Sequence, residues 1–139
     1  MNVMSLADVP PLTVDAAVTV GEAVDAALEA RVGAVAVLEN GVLAGIFTER
    51  DLMTKIVKNR LDPDRTVLRD VMSSPVWTVP PTMHAQDALR TMLDRHVRHL
   101  IISSDGTHAE GIVSIRNVMQ YMLEYLQKNL KQMESYIGR

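Results

Sequence analysis

Two short runs place a hydroxyl three residues before an acid or amide, at what reads as the start of a helix: Thr48-Glu49-Arg50-Asp51 and Ser114-Ile115-Arg116-Asn117. A phosphate set against Thr48 would meet free backbone N–H groups, the positive end of the helix dipole and a hydroxyl donor. Asp51, one turn on, faces the same way and can accept from both vicinal hydroxyls of a ribose. Arg50 lies in the same turn, Arg116 is its counterpart in the second run, and Arg98 and His99 head a separate apolar run. Cations so placed suit a phosphate. The same spacing also writes a capping box, in which hydroxyl and acid satisfy the first N–H groups for stability alone. The two roles are compatible, because a cap leaves part of the carboxylate free.

Other chemistries find little support. There is no Ser or Thr nucleophile with an evident His base, no carboxylate pair at a defensible spacing and no Gly-x-x-x-x-Gly-Lys loop. An enzyme is not expected. The chain has no Cys, which removes disulfides, thiolate zinc sites and Cys nucleophiles together. His96 and His99 stand three apart but across a helix end and a strand start, with no acid or Cys to complete a metal set. His84 and His108 read as solvated helix-start and loop residues. The net charge of −3 and the lack of any long Lys/Arg run argue against nucleic acid. No apolar run approaches the ~20 residues of a membrane span, and Met1-Asn2-Val3-Met4 is not a leader, so a cytoplasmic protein is expected.

The elements that must position these residues occur twice. Sliding the chain by 65 residues brings Pro10 onto Pro75, Thr13-Val14 onto Thr78-Val79, Leu28 onto Leu93 and Gly41 onto Gly106. One further residue after Gly106 makes the offset 66, and Gly45-Ile46 then falls on Gly111-Ile112, Arg50 on Arg116 and Met53 on Met119. Each copy reads as a short extended piece (11–14; 76–79), a helix, a strand (34–38; 100–103), a return strand (43–47; 111–113) and a second helix from Thr48 or Ser114. The helix stripes are Val20, Val24, Ala27 and Leu28, then Ala85, Ala88, Leu89 and Met92. Asn40-Gly41 and Asp105-Gly106 signal hairpins. Asn59 to Arg69, polar and carrying Pro63, reads as a connecting loop. The last helix, Asn117 to about Tyr136, carries Met119, Met122, Leu126, Leu130, Met133 and Ile137 at helical spacing, a stripe longer than one repeat can cover. It is expected to be core or dimer contact. Trp77, aligned with Leu12, is expected in the core, with stacking on an adenine ring as the alternative.

The tandem β-α-β-β-α unit, with Gly-Ile-Phe-Thr-Glu-Arg-Asp (Gly45 to Asp51) at the strand-to-helix junction and Arg98-His99-Leu100-Ile101-Ile102 on the second hairpin, resembles a CBS domain pair over roughly Leu6 to Met122. The resemblance implies an α/β fold in which two pseudo-symmetric repeats pack through their sheets, followed by a long C-terminal helix. It divides the chain into 1–58, a linker 59–73, 74–122 and the helical extension 123–139. It implies an allosteric module that needs no resident cofactor and binds an adenine nucleotide, AMP, ATP or NAD-type, in clefts between the repeats. Thr13, Val14, Ala34, Thr48, Arg50, Asp51, Arg98, His99, Ser114, Arg116 and Asn117 would bind it. The Asp51 cleft should be the tighter, since Asn117 offers a neutral oxygen where Asp51 offers a charged pair. A homodimer and an effector protein follow as partners, with no nucleic acid and no membrane. The alternative is a ligand-independent homodimeric interaction module whose cleft is vestigial.

Overall fold

In the computed structural model, which describes residues 1–138, the two halves of the chain fold alike. The first half holds β1 (Thr13–Asp15), α1 (Val20–Ala30), β2 (Ala34–Glu39), β3 (Val42–Thr48) and a short α2 (Glu49–Asp51) that runs on into a π-helical turn, Leu52–Val57. The second half holds β4 (Thr78–Val79), α3 (Ala85–Arg95), β5 (His99–Ile102), β6 (Gly111–Ser114) and α4 (Ile115–Ile137). Each sheet has three strands, ordered β1-β2-β3 and β4-β5-β6. The first pair of each is parallel and the second antiparallel. This is the repeated α/β unit read from the sequence, and its matched junctions set Thr48 and Ser114 at equivalent places.

Local signals explain most boundaries. Thr19 caps α1 by accepting the Glu22 N–H at 3.2 Å, and the His84 ring caps α3 by accepting the Gln86 N–H at 3.1 Å. Both helices end on a left-handed residue, Arg31 (φ 58°) and His96 (φ 56°), whose N–H returns to carbonyls of the last turn. Asn40 (φ 53°) and Gly41 (φ 77°) close the β2–β3 hairpin with the two positive φ angles that a tight mirror-image turn requires. Asp105-Gly106 does something else. β5 stops at Ile102 and β6 starts at Gly111, so the pair sits in a longer loop instead of a two-residue turn. There the Asp105 carboxylate accepts from the Thr107 and His108 N–H groups at 2.8 and 3.0 Å, and its bond to the His108 ring holds its pKa far below the usual carboxylate range. The loop reaches across the repeats, and the Thr107 carbonyl accepts the Leu43 N–H at 2.8 Å.

Three apolar clusters hold the molecule together. One lies in each repeat, and a third, Ala36, Ile101 and Ile112 with Leu43, Ile46, Val76 and Ala109 against them, lies where the two sheets face each other. The repeats also exchange their leading segments. Val3, in a 3-10 turn Val3–Ser5, is buried in the core of the second repeat, and Asp8 pairs with Ile112. Leu68, in the equivalent turn Leu68–Asp70, is buried in the core of the first repeat, and Ser73 pairs with Ile46. The stretch 59–73 is therefore not all loop: its second half is the counterpart of the chain's N-terminal segment.

Two expectations about packing are corrected. Leu28 is not on the buried stripe of α1; Val20 and Ala23 are, and Leu28 is 71 % exposed. Trp77 is 44 % exposed rather than core, with the Arg95 guanidinium 4.2 Å from its ring centre, so the indole trades burial for a cation–π contact. It does not line the cavity described below, which removes it as an adenine platform there.

Candidate nucleotide-binding site

β3 delivers Thr48 to the start of α2, and the capping box forms in full: Thr48 Oγ1 accepts the Asp51 N–H at 3.2 Å, and Asp51 Oδ2 accepts the Thr48 N–H at 3.0 Å. Asp51 is one of two polar side chains among the buried residues, and its carboxylate oxygens are well partnered. Its other oxygen, Oδ1, accepts from Ser73 Oγ at 3.0 Å and lies 3.5 Å from Lys55 Nζ. Each carboxylate oxygen has two lone pairs, so one direction on each remains after the Thr48 and Ser73 bonds. Two acceptor directions match two vicinal hydroxyls.

A cavity of about 450 Å³ opens over this carboxylate. Repeat one contributes Ile46, the run Thr48 to Asp51, Met53 and Thr54, the segment between the repeats contributes Ser73, and repeat two contributes Val97, Arg98 and His99. The size falls within the range of small-molecule sites, as does the mixture of apolar wall and few polar groups. Pseudo-symmetry puts the β5 end of one repeat opposite the helix start of the other. The Gly33 backbone supports this meeting point. A Cβ there would stand 2.9 Å from Glu49 Oε1 and 3.4 Å from His99 Cε1.

The charges of the cavity are arranged unevenly. The Arg98 side chain is exposed and makes no hydrogen bond or ion pair among the described residues, while its carbonyl accepts the Ile115 N–H at 2.8 Å, so its guanidinium is available. Arg50 is engaged: it donates to the His96 carbonyl, on the left-handed residue that ends α3. His99 has a pKa below the ordinary imidazole value, chiefly because burial disfavours its charged form; Glu49 and Asp8 oppose the shift and Arg98 adds to it.

One sequence-based idea about phosphate fails here. The helix start does not offer a row of free N–H groups, because Thr48, Glu49 and Asp51 donate theirs to the Asp51 carboxylate, the Gly33 carbonyl at 3.0 Å and the Thr48 hydroxyl. The Thr48 hydroxyl proton and the Arg98 guanidinium are what this end of the cavity presents.

Of the eleven residues singled out from the sequence, the cavity gathers Thr48, Arg50, Asp51, Arg98 and His99. Thr13 and Val14 lie in β1, paired with Ala36 and Val37, and Ala34 lies in β2, paired with Thr48; none of the three lines the cavity. Ser114, Arg116 and Asn117 belong to the other junction. There Ser114 Oγ accepts the Asn117 N–H at 3.1 Å, and the Asn117 amide donates to the Leu6 carbonyl at 2.9 Å. Sequence reasoning missed Glu49, Lys55 and Ser73. Glu49 and Lys55 were legible as helix-start neighbours of Asp51, but Ser73 is brought in only by the pairing with Ile46. Among the described residues no group of three His, Asp or Glu could hold a metal. His108 lies in its loop with Nδ1 2.7 Å from Asp105.

Comparison with known proteins gives the family and the fold in which this arrangement sits. The sequence model for the CBS domain matches residues 3–58 and 68–124. The chain belongs to the CBS domain family. It is 32 % identical over 124 residues to the CBS domain-containing protein CBSX3, mitochondrial, of Arabidopsis thaliana, covering 86 % of this chain and 60 % of that one. The chain spans 47 % and 60 % of the length of two curated relatives that it matches. In fold it is similar to a CBS domain protein from Pyrobaculum aerophilum complexed with AMP (TM-score 0.75, 24 % identity, 84 % of this chain and 89 % of that one). It is similar also to the CBS domain pair of protein MJ0100 in complex with 5′-methylthioadenosine and S-adenosyl-L-methionine (TM-score 0.80, 17 % identity, 90 % and 98 % covered). No helix among the described residues is long and apolar enough to cross a membrane.

Proposed function

We propose that this chain is a non-catalytic regulatory module that binds an adenosine-type nucleotide, AMP, ATP or NAD-type, in the cavity between its repeats and passes the signal to a partner protein. The observation that carries the reading is the composition of that cavity. Asp51, with one acceptor direction left on each oxygen, comes from repeat one, and the uncommitted Arg98 comes from repeat two. The ribose hydroxyls would donate to Asp51, and a phosphate would lie toward Arg98, His99 and the Thr48 hydroxyl. A ligand so held touches both repeats, and can favour one arrangement of them over another by its differential affinity. The adenosine-type ligands named for the two structural neighbours support the class of ligand. The cytoplasm is the proposed compartment, and neither nucleic acid nor a metal enters the scheme.

A thermal-shift panel of AMP, ADP, ATP, NAD, NADH and S-adenosylmethionine tests this. A true ligand at ~100 times its dissociation constant stabilises the fold by ~2.7 kcal/mol. Calorimetric titration of the responding nucleotide into Asp51→Ala should then show at least about a tenfold loss of affinity at the first cleft, as expected for removing a charged acceptor. Wild-type affinity and stoichiometry in that variant would remove the role given to Asp51. A second reading, a ligand-independent homodimeric interaction module, is favoured by the exposed apolar residues of the π-helical turn after α2 and of α4, Met53, Val57, Met119 and Leu123. Silence across the whole panel would select it.

A further inference from the structure

We propose that Lys55 is a positioning residue of the nucleotide site, which together with Ser73 ties the Asp51 carboxylate to the segment that joins the repeats. The proposal rests on the reading of Asp51 as the ribose acceptor. Lys55 Nζ donates to the Val71 carbonyl at 2.8 Å and to Ser73 Oγ at 3.1 Å, and Ser73 Oγ donates to Asp51 Oδ1 at 3.0 Å. The ammonium itself stands 3.5 Å from the same oxygen. A chain that runs from ammonium to hydroxyl to carboxylate polarises each bond in turn and fixes the direction of the remaining lone pair on Oδ1.

Two features show that this is more than a solvated ion pair. The first is the backbone. Lys55 stands four places beyond Asp51, a spacing that sets the two side chains on one helix face, and it sits inside the π-helical turn Leu52–Val57. The strand-like segment that accepts the ammonium is itself fixed, with Ser73 and Ile46 exchanging N–H···O bonds of 2.9 and 3.0 Å. Gly45 lets it approach, since a Cβ there would stand 3.0 Å from the Ser73 carbonyl oxygen as well as against the Met72 side chain.

The second is the other repeat, which solves the same problem differently. With the offsets of 65 and 66, Asn117 stands for Asp51, Tyr121 for Lys55, Leu6 for Val71 and Asp8 for Ser73. The carbonyl of the joining segment is bonded in both copies, at Leu6 by the amide of Asn117 itself, at 2.9 Å. A carboxylate cannot donate. At the first junction Lys55 takes over that bond and leaves the acid at the ligand position free to accept. Among the described residues neither the Tyr121 nor the Asp8 side chain makes a hydrogen bond, so no such relay forms at the second.

If Lys55 acts through Asp51 on the ribose, its loss must weaken recognition of the ribose hydroxyls specifically. The experiment titrates adenosine and 2′-deoxyadenosine into the wild type, Lys55→Met, Lys55→Arg and Ser73→Ala, with AMP as a further probe of the wild type. The wild type should prefer adenosine. Lys55→Met should lose about tenfold for adenosine and far less for the deoxynucleoside, so the ratio narrows, as follows when a charge-assisted acceptor loses its alignment. Lys55→Arg should restore most of the ratio, and Ser73→Ala should narrow it as Lys55→Met does. Ser73→Ala removes only one hydroxyl and decides the matter should Lys55→Met fold poorly. A wild-type ratio in Lys55→Met and Ser73→Ala overturns this proposal alone. A wild type that binds none of the three probes overturns the ribose site, and this proposal with it.

Discussion

Arg98, just before β5, and His99, its first residue, are neighbours, yet their surroundings give them opposite tasks. Arg98 is exposed and uncommitted, so a phosphate in the cavity can take it without breaking an existing bond. Replacing Arg98 by Ala should weaken AMP about tenfold while leaving adenosine nearly unchanged, because the charge-assisted contact exists only where there is a phosphate. Competition titrations of the two ligands read this directly, and equal losses would assign Arg98 to the fold. His99 is partly buried and held toward its neutral form by desolvation. The folded chain therefore resists a proton that the unfolded chain accepts near pH 6.5. Stability from this residue is fully present above that pH and is lost as the pH falls through it toward the lower folded-state value. Thermal unfolding of His99→Gln between pH 7.5 and 5 should lack that component of the decline seen in the wild type. Identical pH dependence in the two proteins would show that other groups carry it.

At the scale of elements, what could be read in the sequence was whatever is encoded locally. Asn40-Gly41 makes its turn alone, the Thr48 and Ser114 caps need partners only three residues away, and apolar spacing marks α1, α3 and α4. Asp105-Gly106 carries the same hairpin signal and does not make the tight turn. Its loop is instead held by Asp105 bonding two N–H groups and by a contact to Leu43 in the other repeat, a partner 64 residues away that local chemistry does not reveal. The site divides in the same way. Thr48, Asp51, Arg98 and His99 were legible because the repeat sets a helix start against a strand end. Ser73 was not, since its place depends on an inter-segment bridge to Ile46 inside a stretch that looks like linker. Trp77 fails for a different reason: a large aromatic predicts burial on average, but a guanidinium stacked on its face offsets much of what exposure costs.

For the whole molecule, exchange of the leading segments means that neither repeat owns a complete core, since Val3 fills one and Leu68 the other. The two repeats are then expected to fold as one cooperative unit, and a ligand bound as proposed between them would bias their relative placement. The same internal symmetry bears on association. Exposed apolar side chains occur in pairs related by the repeat, Leu28 with Leu93, Met53 with Met119 and Val57 with Leu123, and Leu126, Leu130 and Met133 extend the set along α4. An isologous dimer buries the same patch of both copies, so each such residue at the interface is covered twice. Each large aliphatic removed from water contributes ~1.5–3 kcal/mol before the cost of association, and paired rows supply several at once. We therefore expect a homodimer through the π-helical turn Leu52–Val57 and α4. Light scattering at tens of micromolar should give twice the chain mass, and Met53→Glu combined with Met119→Glu should give the monomer mass with its circular dichroism unchanged. A monomeric wild type, or a dimer indifferent to both charges and to truncation before Leu126, would leave the face without the partner proposed for it.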